Sequence, residues 1–140
     1  MNDELIIKCN LLKSSKRIAV IGISRNPDKI SRIIAEFLVN KGYKVYGVNP
    51  AFENANGIKV YPSLVDIPDD IDIVNVFRKS EDIHQIIPDV LTKKPKALWL
   101  QQGIRNDAAV KPVIDSGIIT IQDECIMVCY NICKNKFNNF

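Results

Sequence analysis

One histidine, His84, and one tryptophan, Trp99, stand in a chain of 140 residues. So little imidazole removes the commonest general base from all but one position. His84 falls inside a helical stretch, away from strand ends, and is read as exposed or packing; no Ser-His-Asp or Cys-His arrangement is suggested. No apolar run approaches the ~20 residues of a membrane span, and the N-terminus has no secretory apolar region. Membrane insertion is therefore not expected, and the cytoplasm is the expected compartment. No block of like charge lies behind the net charge of +3, from 19 basic and 16 acidic residues. Scattered surface charge, with no nucleic-acid partner, is the reading. Asp66, Asp69, Asp70 and Asp72 cluster by turn chemistry and read as a solvated loop, not a metal site.

Cysteine is present but not in a metal-binding pattern. Cys125, Cys129 and Cys133 recur at i, i+4 and i+8, on one face of a C-terminal helix, and Cys9 stands alone. Structural zinc sites use closer pairs, or Cys with His. Reduced, buried thiols are expected. Cys125 is the one with a functional option, because it follows the last strand at the rim of the sheet.

What is there is ordinary globular composition, 46% hydrophobic and 25% charged, arranged as alternating elements. Asp3 can cap a helix over Glu4–Lys13, with Leu5, Cys9 and Leu12 on one side. Arg17–Ile23 is apolar on both faces, as a buried parallel strand is. Ile30, Ile33, Ile34, Phe37 and Leu38 form a helical stripe that Gly42 ends. Lys44–Val48 is a strand, and Ile58–Val60 a possible short one. Ile71–Phe77 is a strand, and Ser80 then caps a helix to about Lys93. Lys96–Leu100 is a strand; Asn106 caps a helix over Asp107–Ser116; Ile118–Ile121 is a strand. A last helix covers Glu124–Lys134. The expected architecture is α/β: one Rossmann-like, doubly wound, mainly parallel sheet of about five strands. It forms a single domain over residues 1–134, with a frayed tail at 135–140.

Ligands on such sheets bind outside the carboxyl ends of the strands, where strand order reverses. The stretch Gly22–Ser31 is a strand–turn–helix connection with Gly22 for the turn, hydroxyls on Ser24 and Ser31, and charge on Arg25 and Lys29. It suits a phosphate at a helix N-terminus, or it is a plain connection with solvated charges. The dinucleotide pattern G-x-G-x-x-G is absent: Ser24 and Pro27 stand at the second and third glycine positions. Asn49-Pro50 replaces the acidic residue that would hold a ribose hydroxyl. An NAD fingerprint is not supported. Trp99 is either core or the lining of a groove.

These residues resemble the small stand-alone CoA-binding domain family, similar to the CoA-binding domain of the succinyl-CoA synthetase alpha subunit. The resemblance covers about Leu5–Met127. It rests on Ile18–Ser24 with Pro27 and Ser31, Gly47-Val-Asn-Pro50, Tyr61–Leu64 with Asp66-Ile-Pro68, Asp72–Arg78, Leu98–Ile104 with Asn106, and Asp123–Ile126. Ala51 and Glu124 depart from the family pattern. The resemblance implies CoA or an acyl-CoA as cofactor, lying across the strand ends. Pyrophosphate would sit at Gly22, Ser24, Arg25, Lys29 and Ser31, and adenosine near Asn49 and Pro50. Phe77, Arg78, Gln101 and Gly103 would bound the rest, with Asn106 beside them. The function expected is non-catalytic binding of this small molecule. The alternatives are a small enzyme on a CoA thioester or another nucleotide, or an accessory subunit. The synthetase's second domain has no room in 140 residues, so ligase activity is not implied.

Overall fold

A computed structural model describes residues 3–137 and 140; positions 138 and 139 of the tail expected to fray lie outside the described residues. In chain order the elements are α1 (Asp3–Ser14), β1 (Arg17–Ile21), α2 (Ile30–Asn40), β2 (Lys44–Val48), β3 (Asn54–Ala55), β4 (Ile58–Tyr61), β5 (Ile73–Val76), α3 (Ile87–Lys93), β6 (Ala97–Leu100), α4 (Asp107–Asp115), β7 (Ile119–Ile121) and α5 (Ile126–Lys136). The sheet runs β3-β4-β2-β1-β5-β6-β7. All pairings are parallel except β3 with β4.

The sheet has seven strands, not about five. The difference is the edge hairpin. Asn56 and Gly57 both take left-handed backbone, φ 51° and 91°, as a two-residue hairpin turn requires. The hairpin caps the edge beside β2.

The strands are apolar on both faces because both are covered. Ile18, Val20, Ile73, Ala97 and Trp99 face α1, α2 and α5. Ala19, Ile21, Val74, Val76, Leu98 and Leu100 face α3 and α4. Trp99 is core: it is fully buried, and its Nε1 donates to the Glu124 carbonyl at 2.9 Å.

Three helical expectations change. In α2 the buried face is Ser31, Arg32, Ile34, Ala35 and Leu38, while Ile30 and Ile33 are exposed. The segment Ser80–Ile86 is a 3-10 helix, with α-helix only from Ile87. Pro88, lacking an N–H, fits the first turn of a new helix and not the interior of an old one. Ser80 does not cap it; its Oγ accepts from the Arg105 N–H at 3.0 Å. The final helix starts two residues later than expected because Asp123 is left-handed, φ 58°, and Cys125 is its N-cap. Beyond it, Phe140 packs edge-on against Tyr130, ring centroids 4.9 Å apart.

The thiols are not all reduced. Cys9 and Cys133 form a disulfide, Cα–Cα 5.5 Å, joining α1 to α5 across 124 residues of sequence. The two helices lie side by side on one face of the sheet, a proximity that cysteine spacing cannot reveal. Cys125 and Cys129 are free. Burial pushes the Cys129 thiol up to about 11.

Candidate functional site

Strand order reverses at β1, which has β2 on one side and β5 on the other. At the carboxyl ends of these three strands lies a cavity of about 350 Å³. Its lining includes Gly22, Asn49, Pro50, Ser63, Arg78 and Gln85. Four of the expected site residues therefore converge there: Gly22, Asn49, Pro50 and Arg78. Beyond the Asn49-Pro50 ridge, a broader open groove of about 850 Å³ runs along Phe52, Lys59 and Tyr61.

Gly22 ends β1 with φ +85°, and its N–H donates to the Val48 carbonyl at 2.9 Å. A Cβ there would stand 2.2 Å from the Phe77 carbonyl oxygen. The glycine is thus required first by the chain's own close approach between β1 and β5.

The loop from Gly22 to α2 is held in shape from within. The Ser24 N–H donates to Ser31 Oγ at 3.0 Å, and Ser24 Oγ accepts from the Asn26 N–H at 3.0 Å. Arg32 was not among the expected site residues, yet it organises the loop. Its buried guanidinium donates to the Arg25 carbonyl at 2.7 Å and to Glu36 Oε1 through Nε and Nη2. Hydrogen bonds from Asn56, then from Arg32, hold the Glu36 carboxyl below its ordinary value. The i, i+4 spacing of Arg32 and Glu36 is the sequence signal for this pair.

Asn49 performs the same office for β2. Its Nδ2 donates to the Ile23 carbonyl at 3.0 Å, and its Oδ1 accepts from the Ala51 N–H at 2.9 Å. Its side chain ties the two strand-end loops together. The charges around them stay open. The Arg25 guanidinium lies 4.9 Å over the Phe52 ring. Arg78 Nη2 donates to Gln85 Oε1 at 3.0 Å. Among the described residues no carboxylate pairs with Arg25, Lys29 or Arg78.

The remaining expected residues, Gln101, Gly103 and Asn106, follow β6 and are each engaged by other groups of the chain. Buried Gln101 accepts at Oε1 from Asn75 Nδ2, 3.1 Å, and from the Ile126 N–H, 2.9 Å. The Gly103 N–H donates to Asp123 Oδ1 at 2.6 Å. Asn106 caps α4, accepting from the Ala109 N–H at 3.1 Å, and donates to the Ser80 carbonyl at 2.9 Å. None of the three lines the cavity.

His84 is exposed, with Nδ1 2.9 Å from the Glu81 carbonyl. Among the described residues no cluster of three metal-ligating side chains occurs, and no helix is long and apolar enough to cross a membrane.

Compared with known proteins, residues 16–131 match the family model described as CoA binding domain. The chain belongs to this family. The chain is 38% identical over 124 residues to the uncharacterized protein YneT of Bacillus subtilis, covering 89% of this chain and 92% of that protein. It is 30% identical over 119 residues to the alpha subunit of acetate–CoA ligase [ADP-forming] I of Pyrococcus furiosus, covering 81% of this chain. It spans only 23% of that subunit. A solved structure of a hypothetical protein from Pyrococcus horikoshii superposes with a TM-score of 0.89 at 32% identity, covering 96% of this chain and 93% of that one. The dinucleotide-forming acetyl-coenzyme A synthetase of Ca. Korarchaeum cryptofilum contains a similar domain. There the TM-score is 0.65 at 26% identity, over 75% of this chain and 25% of that one.

Proposed function

We propose that the chain binds CoA or an acyl-CoA, without chemistry of its own, across the carboxyl ends of β1, β2 and β5. One observation carries the reading. Arg78 lines the cavity under Gly22 and Asn49-Pro50, with Asp89 also in its wall, and Arg25 and Lys29 stand on the neighbouring loop that leads into α2; none of the three cations pairs with a carboxylate among the described residues. The pyrophosphate lies along the Gly22–Ser31 loop, facing Arg25 and Lys29. Adenosine rests by Asn49-Pro50, with Phe52 and Tyr61 as apolar surface in the adjoining groove. Arg78 meets a phosphate, and Phe77 bounds the arm that continues toward Gln101 and Gly103. Membership of a CoA-binding family supports this reading, as does the lack of a dinucleotide glycine pattern.

A second reading is supported by the ligase relatives, in which the similar stretch is a fraction of a larger subunit. On this reading the domain presents its ligand to a separate protein.

Calorimetric titration with CoA, acetyl-CoA, dephospho-CoA, NAD and ATP tests the assignment. CoA should bind at least about tenfold tighter than NAD, about 1.4 kcal/mol. Equal or tighter binding of NAD overturns it.

A further inference from the structure

Helix α1 packs on the domain along one narrow apolar stripe and is bridged to it by the disulfide. Cys9, Leu11 and Leu12 are buried, and Leu5 packs partly buried against the same core. Polar ties add to them, among them Tyr43 Oη donating to the Leu12 carbonyl at 2.5 Å and Lys8 pairing with Glu124 at 2.5 Å. Around these contacts the packing is open. An open surface cleft of about 440 Å³ is lined by Glu4, Ile7 and Lys8 on one side and β7 on the other, and Ile7 is half exposed. A second, of about 260 Å³, separates Leu5 and Lys8 from Cys125, Val128, Cys129 and Ile132 of the α5 region. A third, of about 190 Å³, lies under Leu12 and Lys13. These clefts are open to the surface, so water reaches both flanks of the helix. Both bridged cysteines, moreover, lie outside residues 16–131 that define the family domain.

We propose that the Cys9–Cys133 disulfide is a redox latch: it holds α1 on the domain, and its reduction releases α1 while the sheet stays folded. The second cleft reaches Cys129, one helical turn from Cys133, while Cys9 and Cys133 themselves are buried, so a small thiol reaches the bridge as the seam between α1 and α5 opens. Reduction by a dithiol is balanced: a reductant thiolate attacks one sulfur, the other leaves as thiolate and takes a proton. The second reductant thiol then closes a cyclic disulfide, leaving Cys9 and Cys133 as thiols. Cys129 does not reshuffle the bridge from inside, because its thiol stays protonated at neutral pH. Without the bridge, the twelve residues of α1 rely on the stripe of Leu5, Cys9, Leu11 and Leu12 and on surface polar ties to offset their ordering entropy, and the segment opens as a local unit.

The test is hydrogen exchange by mass spectrometry on the whole chain, with and without dithiothreitol, alongside thiol titration. The untreated protein should titrate the two free thiols of Cys125 and Cys129, and the reduced protein all four. On reduction the amides of α1 should exchange about tenfold faster or more, with β1, β2 and β5 unchanged. Cys9→Ala should reproduce the reduced pattern without dithiothreitol; the wild-type comparison stands whether or not that variant folds. Four thiols in the untreated protein, unchanged α1 exchange after full reduction, or simultaneous loss of protection in α1 and the sheet each overturn the latch.

Discussion

The carboxyl rim of the sheet has two halves that look alike in residue type and differ in state. Around β6 and β7 the polar side chains are taken up by one another and by backbone: Gln101 by Asn75 and the Ile126 N–H, Asn106 by the Ala109 N–H and the Ser80 carbonyl, Asp123 by the Gly103 N–H. Around β1, β2 and β5 the neutral side chains also hold backbone, but Arg25, Lys29 and Arg78 meet no carboxylate among the described residues. A polar residue at a strand end therefore does not mark a ligand contact. A charge left without a counter-charge beside a cavity is the better sign. If the halves differ as argued, substitutions in the first half lower stability and leave CoA binding alone, and those in the second do the reverse.

Gly22→Val, at the seam of the halves, has the largest expected effect. Left-handed backbone costs a non-glycine residue about 1–2 kcal/mol, and a Cβ 2.2 Å from Phe77 O adds about 1–3 kcal/mol of overpacking. Chemical denaturation should show a loss of about 2–5 kcal/mol. A variant of native stability that merely failed to bind would mean that only the ligand needs the glycine.

Gln101→Ala should come next. It strands the Ile126 N–H and leaves the buried Asn75 Nδ2 only its 3.4 Å bond to the Trp99 carbonyl, about 1–3 kcal/mol for an unpaired buried group. CoA affinity should move by less than about threefold, under about 0.7 kcal/mol; a large drop would put Gln101 in the binding surface.

Arg78→Ala reverses the pattern. Denaturation should change by less than about 0.5 kcal/mol, while CoA affinity falls by about ten- to a hundredfold, the worth of a desolvated charge-assisted bond. The same loss with dephospho-CoA would place Arg78 at the pyrophosphate, and no loss with either ligand would remove it from the site. Asn106→Ala should cost only about 1 kcal/mol, the usual value of an N-cap, with binding intact.

The smallest effect is electrostatic and lies at the opposite end of the strands. Asp72 Oδ2 accepts from the backbone N–H groups of Lys16 and Arg17 at 2.7 and 3.0 Å. Burial raises its pKa, but these bonds and Lys96 outweigh that and leave it below the ordinary 3.8. A depressed carboxyl stabilises the fold above its unfolded pKa, and the contribution is lost as pH falls through the lower folded value. Asp72→Asn should therefore flatten the stability profile below about pH 4. An unchanged acid limb would assign that loss to other carboxylates.

The parallel strands and the helices between them were legible because buried strands and amphipathic helices write their periods into the sequence. The hairpin was missed: Asn56-Gly57 is a direct turn signal, but the strands that flank it are too short to show a period. Arg32 was hidden because a charged residue beside an apolar stripe reads as solvated. Its burial depends on the Arg25 carbonyl folding back over it, a contact seven residues away. Gln101 and Asn106 were placed at a site by position along the chain. Position does not say that Ile126 and Ser80 arrive to engage them. The disulfide is the extreme case, since only the packed sheet brings Cys9 to Cys133.

That bridge also changes how the molecule carries mechanical load. With Cys9 joined to Cys133, the stretch between them is a closed covalent ring that contains every strand of the sheet. Tension applied from outside the ring passes through the sulfur–sulfur bond. Strand β1, at the centre of the sheet, bears none of it. A translocating unfoldase gripping either end would meet a loop to be threaded double, not a strand to be peeled.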